Sequence, residues 1–436
     1  MQAFVPLTAG SGARNRFAPA AIESKACLVS SWASRRVLVK RSASSKNDTR
    51  IIMSIQTGYG LSVLPATAEA VKEAVSNAGV SSPVIAFIGC TTDRDVEEVY
   101  KEFKKNLPTG TAIHGLTSSG GLLTSNGMVK NGVGCLLIHA PAGSFVAASD
   151  LSGNASKAAA ELKKSLSSEL PQAILMSTVP GQEEGCIAEI EAVFGKSVPI
   201  YGGTAGDNEL AGAWKVISSA GVSGTGVSLV AVGSKGVKFG VAFSAPYKPT
   251  SKVVTATKVD GKRRVFEFDG KPASDWVYQW LGPAVEKQYK EGGLVLQPTA
   301  TSPICKQNPQ TGEYTACHLA ALGNANEKHV DFFVPIEQGA KLTVMDSGDG
   351  PSTGYAKTLE ATYKSAKQAG QLSNPKAGIL IYCGGMAIAV GQNLNAGLAG
   401  GYKSSVGAMP LLGLTCFGEQ IKNVQSNLSM GMIMFE

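Results

Sequence analysis

Three times along this chain a short apolar run ends in glycine, one further residue, threonine and a small residue: AIHGLTSSGG from Ala112, PIYGGTAGDN from Pro199 and PLLGLTCFGE from Pro410. Each string describes a buried strand that leaves its sheet through a tight glycine turn and presents a hydroxyl and several backbone N–H groups at its end. Such ends suit an anion or another polar group. The recurrence marks either a duplicated structural unit or a chance match in a chain with 51 glycines among 436 residues. Duplication predicts two pseudo-equivalent halves with a shared crevice near the glycine turns.

The segments around these strings alternate in period. PATAEAVKEAVSNAG reads as a helix with Thr67 as cap, Ala70, Val71, Ala74, Val75 and Ala78 on one face, and Gly79 as its stop. VIAFIGC from Val84 reads as a buried strand, and the face Val96, Val99, Tyr100, Phe103, Leu107 as an amphipathic helix behind Asp93. The strand GCLLIHA, a helix at 157–166, the strand AILMST and a helix at 187–194 continue the alternation. From Trp214 onward β-branched runs broken by Gly and Ser predict a β-meander, and Asp260-Gly261 predicts a hairpin over 253–268. Helices at 274–281 and 354–368, strands at 330–335 and 341–345, the strand GILIYC and the helix MAIAVGQNLNAGLA follow. The fold class is α/β, with mixed sheets flanked by helices.

The formal net charge of +7 argues for nucleic acid or membrane binding only until its location is known. Residues 1–50 hold Arg14, Arg16, Lys25, Arg35, Arg36, Lys40, Arg41, Lys46 and Arg50 against Glu23 and Asp48, which accounts for all of it. The rest of the chain is neutral overall, so no basic face remains for a phosphate backbone and no nucleic-acid partner is expected. The first 50 residues are rich in Ser, Ala and Arg and poor in acids. That is the composition of an organelle transit peptide, with a disordered tail as the plainer alternative. Cleavage is expected between Val37 and Met53, and the chloroplast is the expected destination, with the mitochondrion as alternative. No apolar run reaches the ~18 residues of a membrane span. The eight cysteines form no CxxC pair, so neither a metal site nor a disulfide framework is expected. The phosphate-loop, nucleophile-elbow, HExxH and dinucleotide fingerprints are missing, and no cofactor is expected.

The order of PIYGGTAGDN, TKVDGKRRVFEFDGKPASDWVYQWLG, DFFVPIEQGAKLTVM and MPLLGLTCFGE resembles the FIST family, from about Pro83 to the last residue. DGKPA at 269–273 and GxxxxGE at 413–419 are its more specific marks. The resemblance implies an N-terminal FIST domain over 51–245, a C-terminal one over 246–436, and a sensory role with an amino acid or similar small polar metabolite as ligand. It also implies a free-standing receptor, without an F-box or output module, whose signal passes through a homo-oligomer or a separate protein partner.

Candidate contacts gather at the strand ends. Thr117, Ser118, Ser119 and Gly120 form either a hydroxyl-lined turn for a carboxylate or phosphate, or a capped turn. Thr204, Gly206, Asp207 and Asn208 offer either an acceptor for an amino group or an Asx turn. Cys383, Gly384, Thr415, Cys416, Gly418 and Glu419 complete the set. Glu419 follows an apolar strand, so a buried carboxylate there needs a partner; it either binds ligand, caps a helix or pairs with Lys422. Cys90, Cys383 and Cys416 end strands, but His114, His139, His318 and His329 show no spacing that pairs them with these sulfurs, so packed core thiols are expected. Trp276, Tyr278 and Trp280 read equally as an aromatic ligand box or as core. A ligand-binding sensor is the leading function. An enzyme using the thiol of Cys416 or the carboxyl of Glu419 is the alternative, and a scaffold for protein assembly is a weaker third.

Overall fold

One strand order is built three times. A computed structural model describes residues 55–166, 169–308, 312–348 and 351–436, so the leader expected at 1–50 lies outside the described residues. Each unit runs outer strand, helix, first parallel strand, helix, second parallel strand, hairpin, return strand. In unit I these strands are Gln56–Ser62, Ile85–Thr91, Ala112–Ser118, a hairpin at 122–129, and Val133–His139. In unit II they are Phe145–Asp150, Ala173–Thr178, Ile200–Thr204, a hairpin at 216–223, and Val227–Val232. In unit III they are Phe239–Ser244, Ala377–Cys383, Leu411–Cys416, a hairpin at 419–426, and Met430–Phe435. The return strand always lies antiparallel between the outer strand and the first parallel strand.

The hairpins leave the units that make them. Hairpin 122–129 joins the sheet of unit III beside Leu411–Cys416, 216–223 joins unit I beside Ala112–Ser118, and 419–426 joins unit II beside Ile200–Thr204. This exchange is cyclic and locks three six-stranded sheets into a closed ring. The parallel strands are buried almost throughout and mainly apolar because both faces are covered. Phe87, Leu136, Leu175, Val230, Ile379 and Ile433 turn inward to one shared core, while helices cover the outside. Unit I, for example, seals Ile88, Ile113 and Leu137 under Val71, Ala74, Val99 and Phe103.

The mixed α/β class read from the sequence is the one the chain adopts. Its internal repetition is threefold instead of two halves, because an insertion spanning 248–346 interrupts the third unit between its outer strand and its first helix, Pro351–Ala369. The expected meander is also redistributed. Its strands 216–223, Val227–Val232, Phe239–Ser244 and Lys248–Val259 enter four different sheets, since local strand pattern carries no information about the partner. The hairpin across Asp260 forms as predicted, Lys248–Val259 against Arg264–Phe268. At the helix starts, Asp95 and not Asp93 caps Val96–Asn106, accepting from the N–H groups of Glu97 and Glu98. The helix Thr67–Ala78 has no side-chain cap bond but stops as expected at Gly79, φ 66°.

In the insertion, Phe268, Val277, Val285, Val330 and Phe332 form a core of their own. Trp276 packs edge-on to Phe268 at 5.3 Å and against Trp280 at 5.4 Å, with Lys252 over its ring, and Tyr278 stacks on Tyr289. These aromatics are packing. Among the described residues no helix is long and apolar enough to cross a membrane.

Candidate functional site

The three glycine turns meet. The Ser119 N–H donates to the Thr415 carbonyl at 2.9 Å, Gly206 N–H to the Thr117 carbonyl at 2.9 Å, and Phe417 N–H to the Thr204 carbonyl at 3.0 Å. Each donor lies two residues beyond its own threonine, so the pattern closes on itself around the ring. The threonine N–H groups are engaged in the opposite cyclic sense: Thr117 to the Lys215 carbonyl, Thr204 to the Gly418 carbonyl, and Thr415 to Ser118 Oγ. Backbone groups that a strand end would offer to an anion here hold the units together.

Most polar side chains at this end are satisfied too. Thr117 Oγ1 accepts from Lys215 N–H at 2.9 Å, and Ser118 Oγ donates to the Gly121 carbonyl at 2.6 Å. Asp207 accepts from the N–H groups of Glu209, Ala211 and Ala213, organising the loop that follows. Asn208 accepts from Gly120 N–H and donates to Asp93, linking units II and I. Gly206 and Gly384 make room for the ring of Phe417, which meets Trp214 edge-on at 6.2 Å. The interior enclosed by the sheets holds a cavity of about 30 Å³, lined by His114 and Ser177 among aliphatic side chains, which is too small for an amino acid. His114 bridges Ser228 and Ser177 at 2.8 and 3.0 Å, and burial lowers its pKa to about 3, so it is a neutral core residue.

The third hairpin is different. Leu122 pairs with Leu414, Val216 with Leu116, and Glu419 with Gly203, and these three partners occupy one register position in their units. Glu419 therefore stands where the other hairpins carry Leu122 and Val216, and all three are 0% exposed. One step along, Gln420 faces Gln425 where Leu123 faces Met128 and Ile217 faces Val222. Two of three copies show that the fold is content with aliphatic side chains here. A carboxyl and two amides in their place cost desolvation that no packing demand explains.

Glu419 Oε2 accepts from Ser429 Oγ at 2.9 Å and from Ser429 N–H at 3.2 Å, and the Cys383 thiol lies against the carboxyl. Its Oε1 has no conventional hydrogen-bond partner among the described residues, nor do Thr415 Oγ1, Gln420 Oε1, Gln425 Nε2 and Asn427 Oδ1. Desolvation pushes the Glu419 pKa up to about 8, so at neutral pH it is mainly a neutral acid. Lys422 is exposed, so the pairing expected as an alternative does not form. Cys383 and Cys416 are register partners on adjacent parallel strands, and burial pushes both thiols well up, which leaves them poor nucleophiles.

The insertion reaches this region. Asn427 N–H donates to the Ala316 carbonyl, and His318, held by the Leu296 carbonyl at 3.1 Å, lies beside Gly385 at the start of the helix Gly384–Val390. Arg263 bonds Glu183 and Glu184 on the helix Glu183–Phe194. Gln420, Gln425, Asn427, Ser429, Glu183 and Arg263 were absent from the sequence-derived set. Extending the alignment of the three strand ends through LLTSNGMV, VISSAGVS and EQIKNVQS exposes the first two.

Fold and site together describe a threefold α/β domain with an inserted β-rich domain and one polar hairpin in an otherwise apolar ring. Residues 83–271 match the model of the FIST N domain, which belongs to a family of sensory and signal-transducing domains. The match covers unit I from its first parallel strand onward, unit II, the outer strand of unit III and the first hairpin of the insertion. No curated protein matches the chain.

Proposed function

We propose that this protein is a small-molecule sensor whose ligand, an amino acid or similar polar metabolite, binds at the hairpin 419–426. The observation that carries this reading is the replacement of Leu122 and Val216 by Glu419 at the third equivalent position. A fold that closes with aliphatic residues twice retains a buried acid once, with an oxygen left over for a ligand. Phe417, partly exposed and seated between Gly206 and Gly384, is the side chain that must swing aside for entry. In this reading residues 246–436 are the C-terminal FIST part, residues 1–50 direct the chain to the chloroplast, and the signal passes to a protein partner or a second copy.

The test is a thermal-shift panel of amino acids and organic acids on the full chain and on Glu419→Leu, which installs the residue that unit I uses. A compound that stabilises the wild type and not the variant supports the reading. Equal shifts move the site elsewhere, and no shift at millimolar concentration of any compound removes the sensor reading.

A further inference from the structure

The two glutamines of the third hairpin are not oriented by each other alone. Glu183 accepts from Gly181 N–H at 2.7 Å, from Arg263 Nη2 at 3.3 Å and from the Thr204 hydroxyl at 3.3 Å. With its only proton directed at that carboxylate, Thr204 Oγ1 can only accept, and Gln420 Nε2 donates to it at 2.9 Å. The second proton of Gln420 Nε2 goes to Gln425 Oε1 at 2.8 Å. The bonds thus run in order from Glu183, whose carboxyl faces Arg263 at 3.3 Å, and Arg263 also bonds Glu184 at 2.9 Å.

What remains on the two paired amides is one acceptor and one donor: Gln420 Oε1 and Gln425 Nε2, neither with a hydrogen-bond partner among the described residues. Their side chains are buried, Gln420 at 0% and Gln425 at 6% exposure. Both face glycine. A Cβ on Gly418 would stand 2.0 Å from Gln425 Nε2, so the backbone is bare beside that free atom, whereas Gly202, 3.0 Å from Gln420 Oε1 by the same measure, is required first by the Met176 carbonyl oxygen at 1.9 Å. The corresponding pairs in the other hairpins, Leu123 with Met128 and Ile217 with Val222, have nothing to recognise.

We propose that Gln420 and Gln425 form a subsite for a primary carboxamide, with Arg263 of the insertion as a positioning residue acting through Glu183 and Thr204. The amide N–H of such a ligand donates to Gln420 Oε1 while its carbonyl accepts from Gln425 Nε2. A carboxylate offers acceptors only and leaves Gln420 Oε1 facing a second oxygen. The proposal rests on the sensor reading and adds the chemical group that is sensed.

The experiment measures binding of L-glutamine and L-asparagine against L-glutamate and L-aspartate to the full chain by calorimetry. The amides are expected to bind about tenfold tighter or more, the worth of one buried polar group left unmatched. The double variant Gln420→Leu, Gln425→Met reproduces the unit I pair and is expected to abolish the amide preference, with its melting temperature as the control for folding. Should it fail to fold, Thr204→Val interrupts the same relay. Arg263→Ala is expected to reduce the amide-to-acid ratio, which a purely structural role would leave unchanged, and Arg263→Lys to restore part of it. Equal affinity for amide and acid overturns the carboxamide subsite while leaving the sensor reading in place. No binding by any of the four, with binding by another compound of the wider panel, does the same. No binding by any compound overturns both. An amide preference that survives the double variant places recognition at other residues and overturns the assignment.

Discussion

Hairpins 122–129 and 419–426 occupy equivalent places in the ring, each with three-residue arms and a two-residue turn, yet one is built to pack and the other to remain polar. Leu122 and Leu123 each bury a full aliphatic side chain, worth about 1.5–3 kcal/mol apiece. Glu419 and Gln420 give that up and add desolvation, partly offset by Ser429 and Thr204. Internal repetition thereby supplies its own control: a residue that departs from its two counterparts against the stability gradient is held there by something other than the fold.

The comparison can be broken from either side. Putting the acid into the packing hairpin, Leu122→Glu, removes an aliphatic contact and buries an acid without Ser429 or Cys383; a loss of about 3–5 kcal/mol in denaturant melts is expected. A tolerated Leu122→Glu shows that the position accepts acids generally and removes the special standing of Glu419. The reverse change, Glu419→Leu, should raise stability by about 1–4 kcal/mol at pH 8. Its pH dependence sharpens the point. Because the folded state raises the Glu419 pKa from 4.5 to about 8, it holds the proton more tightly than the unfolded chain does. The contribution of Glu419 to stability is therefore greatest below pH 4.5 and declines as pH rises from 4.5 to about 8. The gap between wild type and Glu419→Leu should widen from pH 5 to pH 8, and parallel curves would contradict a buried, raised carboxyl.

A smaller effect is expected where the units agree. A Cβ at Gly115 would stand 2.2 Å from the Ile88 carbonyl oxygen and one at Gly202 would stand 1.9 Å from that of Met176. Gly115→Ala and Gly202→Ala should each cost about 1–3 kcal/mol, and markedly unequal losses would show that the strand ends are not equivalent. Smallest of all should be the response of the thiols. Cys383 and Cys416 are 2% and 0% exposed, so maleimide labelling of the native protein should show no fast phase, with both reacting after denaturation. Rapid labelling of either would revive the cysteine-enzyme alternative.

Much of the local structure was legible. The hairpin across Asp260, the stop at Gly79 and the apolar parallel strands follow from turn chemistry and burial, which act over a few residues. The three strand ends were visible as strings, and Glu419 stood out because a charge after an apolar strand needs a reason. Gln420, Gln425 and Ser429 did not stand out, since polar residues in a short hairpin are unremarkable until both hairpin faces are known to be covered. Arg263 was out of reach, as its partner Glu183 lies 80 positions away.

By itself the sequence determined the elements, their apolar faces and the recurrence of the glycine turn, because helix and strand period and turn residues are properties of neighbouring side chains. The tertiary structure alone decided that the repeats number three, that each hairpin crosses to another unit, and that the turn amides bond one another. Those outcomes depend on which distant strand edge satisfies a given backbone group, and a strand carries no local mark of the edge it will meet.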